Sequence, residues 1–175
     1  MSLARITHDI FEINLRYIKD YNIYLVRVDD DNNFALINSG NGNGINYIVS
    51  DIMEILKRKD KLKYIILTTN DERLVNGTVG LYNIFKSTYI VSHRLYSTKL
   101  RRGEGINENF SPFPISLEID EKCAELGRIK LRVVKSDKSF HMIVSMDKVL
   151  VTGAIVNISP LKGYTVCSIE GCIRE

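Results

Sequence analysis

Tryptophan and glutamine are absent from the 175 residues, and cysteine, proline and histidine occur three times each. Three cysteines with no CxxC spacing exclude both a disulfide framework and a zinc knuckle. Cys167 and Cys172 lie five positions apart. On one strand an odd separation sends two side chains to opposite faces, so no pairing is expected. Cys123, Cys167 and Cys172 therefore read as reduced, buried thiols of a cytoplasmic protein. His8, His93 and His141 show no HxH or HxxxH spacing, and each reads as a lone ring satisfied by local hydrogen bonds. No apolar run approaches the ~20 residues of a membrane helix, and Met1–Tyr21 has charges where a secretory leader needs an apolar stretch. No membrane association is expected. The net charge of +3 is too small to demand a polyanionic partner. The composition, poor in glutamine and rich in Ile, Lys and Arg, fits a thermophile, although the many asparagines argue the other way.

What remains is an ordinary globular composition, 45% hydrophobic and 26% charged. The length suits one domain, residues 1–175. Arg5–Tyr17 alternates apolar and polar residues and reads as a half-buried strand. Asn22–Asp29 and Phe34–Asn38 read as a hairpin turned through the Asp/Asn run Asp29–Asn33. Ser39–Gly44 (SGNGNG) is a loop, and Ile45–Lys59 has helical spacing with a basic end suited to a helix C-terminus. Tyr64–Leu67 and Tyr89–Val91 read as buried strands, with a short helix at Val79–Phe85 between them. This order implies parallel neighbours joined by crossovers. Gly103–Pro114 reads as a mobile surface loop. Ile115–Ile119, Ile129–Val134, Phe140–Met146, Val149–Thr152 and Tyr164–Ile169 are strand-like, with turns at Asp137–Ser139 and Met146–Lys148. Two sheets with helices outside accommodate this pattern.

Three segments resemble one family. Asn22-Ile23-Tyr24-Leu25-Val26 and Ala35-Leu36-Ile37-Asn38-Ser39-Gly40 match the hairpin N-x-Y-L-V…A-L-I-D-[ST]-G of the metallo-β-lactamase superfamily. The strand Tyr64–Leu67 leads into Thr68-Thr69-Asn70-Asp71-Glu72-Arg73-Leu74-Val75-Asn76-Gly77, where that family carries T-H-x-H-x-D-H-x-G-G. Val149-Leu150-Val151-Thr152-Gly153-Ala154 resembles its V-L-F-T-G-D. The resemblance covers about four-fifths of the chain. It implies an α/β (α+β) αββα sandwich: two mixed sheets with helices outside, shortened at the C-terminus. By the same mapping Asn38, Thr69, Asp71, Arg73, Leu74 and Ala154 stand at the family's metal-motif positions. The region of its T-P-G-H loop falls at Lys135–Ser139, which holds no histidine.

The substitutions decide the expected chemistry. Zinc needs three or four ligands from His, Cys and carboxylate, and of the mapped positions only Asp71 offers a good one. Arg73 places a permanent cation where the ion would sit, and Leu74 offers no lone pair. Asp71 and Arg73 are expected to pair with each other or with Glu72. No metal, cofactor or catalytic residue is assigned. The leading expectation is a non-catalytic binding, scaffold or regulatory protein, a pseudoenzyme partnered by another protein or by a second copy of itself. One alternative is a metal-dependent hydrolase with an atypical site built from Asp71, His141 and His93. A further alternative is a nucleotide or small-ligand binder through Gly40, Gly42 and Gly44, since a glycine loop between strand and helix can cradle phosphate. Its spacing is G-x-G-x-G, without the Lys-Ser/Thr pair of a P-loop. The basic clusters Lys57–Lys63 and Lys99–Arg102 read as solvated faces rather than a nucleic-acid surface. Adjacency of Ser92 and His93 in the chain does not make a nucleophile–base pair.

Overall fold

The computed structural model describes residues 3–136, 139–159 and 162–174. The N-terminal part forms one sheet. Strands β1 (Leu3–Arg5), β2 (Ile10–Ile13), β3 (Ile23–Arg27) and β4 (Phe34–Ile37) pair antiparallel in sequence order. Helix α1 (Ile45–Leu56) then crosses to β5 (Leu62–Ile66), which runs parallel to β4. Helices α2 (Glu72–Val75) and α3 (Thr78–Ile84) lead to β6 (Tyr89–His93), and α4 (Arg94–Arg102) leads to β7 (Leu117–Ile119). Both of these strands extend the parallel half of the sheet. The rest of the chain forms a second sheet, ordered β13-β12-β11-β10-β9-β8. Its strands are β8 (Cys123–Leu126), β9 (Ile129–Lys135), β10 (Phe140–Met146), β11 (Val149–Gly153), β12 (Thr165–Ser168) and β13 (Gly171–Arg174). Only β11 and β12 are parallel, so both sheets are mixed.

Alternation along the strands builds two cores. Tyr24, Val26, Ala35, Ile37, Ile66 and Val91 face Leu131, Met142, Val144 and Val151 across the inter-sheet space. The other face of the first sheet, with Leu25, Leu36, Ile65 and Leu67, packs on Ile48 and Ile52 of α1, Leu81 of α3 and Tyr96 and Leu100 of α4. The expected sandwich of two mixed sheets is therefore present. Among the described residues all four helices lie over the first sheet, and the outer face of the second carries none.

Several local expectations change. Arg5–Tyr17 is not one strand: the chain bends at 6–9, where Ile6 and Thr7 both donate to the Ile10 carbonyl, and Arg16–Ile18 is a 3-10 turn. Helix α1 stops at Leu56 because Lys57 adopts a left-handed φ of 60° and caps the Met53 carbonyl. Lys57, Arg58 and Lys59 therefore lie past the helix. The pattern left α4, β8 and β13 unassigned. Helix α4 is masked by its charges: Leu95, Tyr96 and Leu100 are its large apolar side chains among four cations, three of them in the last turn. Segment 103–114 is anchored rather than loose. Phe110 and Phe113 stack at 5.7 Å and are buried, and Gly103 accepts from the Phe110 amide.

The cysteine expectation also fails. Cys167 on β12 and Cys172 on β13 are directly opposed across a hairpin and form a disulfide, while Cys123 is free and exposed. Odd spacing separates two residues on one strand, but here Ile169–Glu170 turn the chain between them. The turn at Met146–Lys148 is present, with Asp147 at φ 53°. That at Asp137–Ser139 falls partly outside the described residues. No helix among the described residues is long and apolar enough to cross a membrane.

Candidate functional site

The C-terminal ends of parallel strands are where an α/β sheet presents its site. Beyond β5 the chain leaves the sheet at Thr68, whose amide and hydroxyl both donate to Asn38 Oδ1 at 3.0 Å. Asn38 holds a left-handed φ of 66°, a conformation Asn tolerates better than most residues. Asp71 N-caps α2: its Oδ1 accepts from the Arg73 amide at 3.1 Å. The same carboxylate takes the Arg73 guanidinium, Nε to Oδ1 at 2.9 Å and Nη2 to Oδ2 at 2.5 Å. Arg73 also lies over the Tyr21 ring at 5.4 Å. The hydrogen bond from Asp71, against partial burial, raises the Arg73 pKa further above its ordinary value, so it stays a cation at all working pH. Glu72 takes no part in this pair. It accepts from the Ile106 amide at 2.9 Å and from Asn107 Nδ2 at 3.0 Å, pinning the 103–114 segment to α2.

The second sheet closes the site. The Met142 amide donates to the Thr68 carbonyl at 2.7 Å, which brings the start of β10 against the end of β5. Ser139 Oγ reaches Asn70 Oδ1 at 2.9 Å. His141 is thereby set beside Asp71, 6% exposed, with Nε2 at 2.9 Å from Ser136 Oγ. Ser136 Oγ donates to the Ser139 carbonyl, so it accepts from Nε2–H and leaves Nδ1 the unprotonated nitrogen. That nitrogen is buried and has no partner among the described residues. Burial lowers the His141 pKa and the Asp71 charge opposes the shift, leaving a net fall and a neutral ring near pH 7.

These residues surround a cavity of about 500 Å³ lined by Asp71, Arg73, Ile106, Asn107, Ser136, His141, Ala154 and Asn157. Of the six mapped positions, Asp71, Arg73 and Ala154 meet here. Asn38, Thr69 and Leu74 do not line it. Leu74 belongs to the apolar core, and Thr69 Oγ1 is spent on the Asp71 amide at 3.2 Å. The Asp71–Arg73 pair forms one wall of this space. Ser136 belongs to the segment mapped to the family's T-P-G-H loop, whereas Ile106, Asn107 and Asn157 carry no motif that points to this place. His93 is elsewhere: its Nδ1 accepts from the Leu95 amide at 3.2 Å and its Nε2 meets the Glu121 carbonyl at 3.1 Å. His8 is paired with Asp9 at 2.8 Å. The trio Asp71, His141 and His93 is therefore not assembled.

The glycine loop is also engaged from within. Asp20, 4% exposed, accepts from the amides of Tyr21 at 2.7 Å and Asn41 at 2.8 Å, and the Asn43 amide is taken by Asn41 Oδ1. Gly40 is at φ 72°, and a Cβ there would press on the Asp20 carboxylate. An internal carboxylate thus occupies the place where a phosphate would sit.

Solved structures identify the architecture. A metallo-β-lactamase from Cronobacter sakazakii described by its HARLDQ motif superposes with a TM-score of 0.71 at 14% identity, over 89% of this chain and 60% of its own. GOB-18 from Elizabethkingia meningoseptica gives 0.67 at 18%, over 91% and 64%. The class B3 di-zinc enzyme LRA-12 from an Alaskan soil metagenome gives 0.69 at 15%, over 93% and 66%. The chain has the metallo-β-lactamase fold. It spans about two thirds or less of the length of these metallo-β-lactamases. No family model matches the sequence, and no curated protein matches it.

The fold implies zinc, and the donor set can be tested against it. Among the described residues, Asp71 and His141 are the zinc-type side chains on the cavity, and both Asp71 oxygens are held by Arg73. Among the same residues no three of His, Cys, Asp and Glu come close enough to share an ion. The described residues do not fit a zinc site.

Proposed function

We propose that this protein is a metallo-β-lactamase-fold binding or regulatory protein that does not run zinc hydrolysis. The Asp71–Arg73 pair carries this reading, because a guanidinium seated on the one carboxylate that lines the cavity among the described residues repels a divalent ion and cannot make hydroxide. The cavity beside it, polar on Asn107, Ser136 and Asn157, is then a place for a small polar ligand rather than a reaction. The test is metal analysis of protein purified without chelator, together with turnover of the chromogenic β-lactam nitrocefin. We expect well under one zinc per chain and no turnover above the buffer rate. Stoichiometric zinc that disappears in Asp71→Ala would establish instead the atypical hydrolase, the reading favoured by Asp71 and His141 sharing one cavity.

Self-association belongs to the same proposal. It is supported by the lack of helices over the second sheet, whose edge strand β13 leaves Ile173 61% exposed. Light scattering on a sizing column should give a dimer or larger species, and a monomer at high concentration would remove this part. A cytoplasmic location is also only proposed, and the Cys167–Cys172 bridge argues against it, since such bonds persist in oxidising compartments.

A further inference from the structure

A second concavity of about 490 Å³ lies where the end of β6 and the start of α4 meet β9 and β10. Its apolar wall is made by Leu95, Val133, Val134 and Phe140. Leu95 is 43% exposed at the rim, an unusual cost for the first turn of a helix whose other large apolar residues are buried. Around this wall stand Arg94, Lys122, Arg132 and Lys135, with Asp120 the one carboxylate lining it among the described residues. Arg94 and Asp120 are paired at 2.7 Å. Lys122, Arg132 and Lys135 have no ion-pair partner among the described residues.

The groove has a fixed frame. The Val133 amide donates to the Lys122 carbonyl at 3.0 Å, tying the segment after β7 to β9. The His93 ring is held on both nitrogens, by the Leu95 amide and the Glu121 carbonyl, so it adds shape rather than a free polar group. A water-excluding wall ringed by unpaired cations strengthens attraction for an anion, while the wall itself gains from burying hydrocarbon. Neither a bare inorganic anion nor a neutral hydrocarbon uses both halves.

We infer that this groove binds a small organic anion with an apolar body, an aryl or medium-chain carboxylate, sulfonate or phosphate monoester, its headgroup on Lys122 and Arg132 and its body on Leu95 and Phe140. It does not depend on how the Asp71 cavity is used.

The probe is 8-anilinonaphthalene-1-sulfonate, with N-phenyl-1-naphthylamine as the same aromatic body without the charge. Titrated by fluorescence into the full chain, the sulfonate should bind one per chain. The neutral probe should bind at least about tenfold more weakly, and added salt should weaken the sulfonate alone. The double variant Lys122→Glu/Arg132→Glu alters two exposed side chains and should raise the sulfonate Kd at least about tenfold, at an unchanged melting temperature. If that variant fails to fold, the neutral probe and the salt series decide alone. Equal affinity for the two probes, no salt dependence, an unchanged Kd in a folded variant, or no saturable binding would each overturn the assignment.

Discussion

At the scale of single residues, His141 gives the sharpest handle. Its ring is kept neutral by burial, opposed only in part by Asp71, so the folded state takes up its proton less readily than the unfolded chain. A depressed histidine contributes stability above its ordinary pKa of about 6.5 and loses it as pH falls below that value. The difference in unfolding free energy between wild type and His141→Asn should therefore be flat above pH 7 and shrink on acidification through pH 6. Denaturant titrations at several pH values check this, and a difference that grows on acidification would contradict the burial argument. Taking the difference is necessary because Glu12 and Asp20 have pKa values raised by burial and pull the wild-type profile the other way at lower pH. The sequence set His141 with Asp71 only in the hydrolase alternative, and nothing in its neighbours announces the Met142–Thr68 bond that brings the two to one cavity.

At the scale of elements, the hairpin β12–β13 carries the only disulfide among the described residues. Closing so short a loop stabilises by about 2 kcal/mol, which for a chain of this size is roughly 4–8 °C in melting temperature. Cys172→Ser should lower Tm by that amount. Unfolded, unreduced protein should titrate one thiol, Cys123, and three after reduction. Three thiols before reduction would show the bridge absent. The elements most legible in the sequence were those with a strong period or strong turn chemistry. The Asp29–Asn33 turn is one, because Asp29 Oδ1 accepts from the Asp31 and Asn33 amides at 3.0 and 3.1 Å. Helix α1, with Ile48, Ile52 and Leu56 on one face, is another. Short edge strands such as β8 and β13 escaped because three or four half-exposed residues carry no readable alternation. The anchoring of 103–114 escaped because its hold comes from Glu72, more than thirty residues away.

At the scale of the whole molecule, the order of hairpin, crossovers and β-rich half together with the motif resemblance was enough to read the sandwich, and the superposed enzymes share it at 14–18% identity. The resemblance set Asp71 and Ala154, 83 positions apart, at one site, but it did not supply Ile106, Asn107 and Asn157 beside them or any of the second concavity, whose walls come from segments of both sheets. Function resides in such meetings rather than in the fold, and the architecture is in place although the mapped positions carry other side chains.

The one-sided placement of the helices has a dynamic corollary. The first sheet is shielded on both faces, whereas the second meets solvent on one, so their backbone amides should trade protons for deuterons on different clocks. Exchange followed by mass spectrometry should leave β4 and β5 among the last to label and β8 and β13 among the first. Uniform labelling of the two sheets would mean that something covers the bare face in solution.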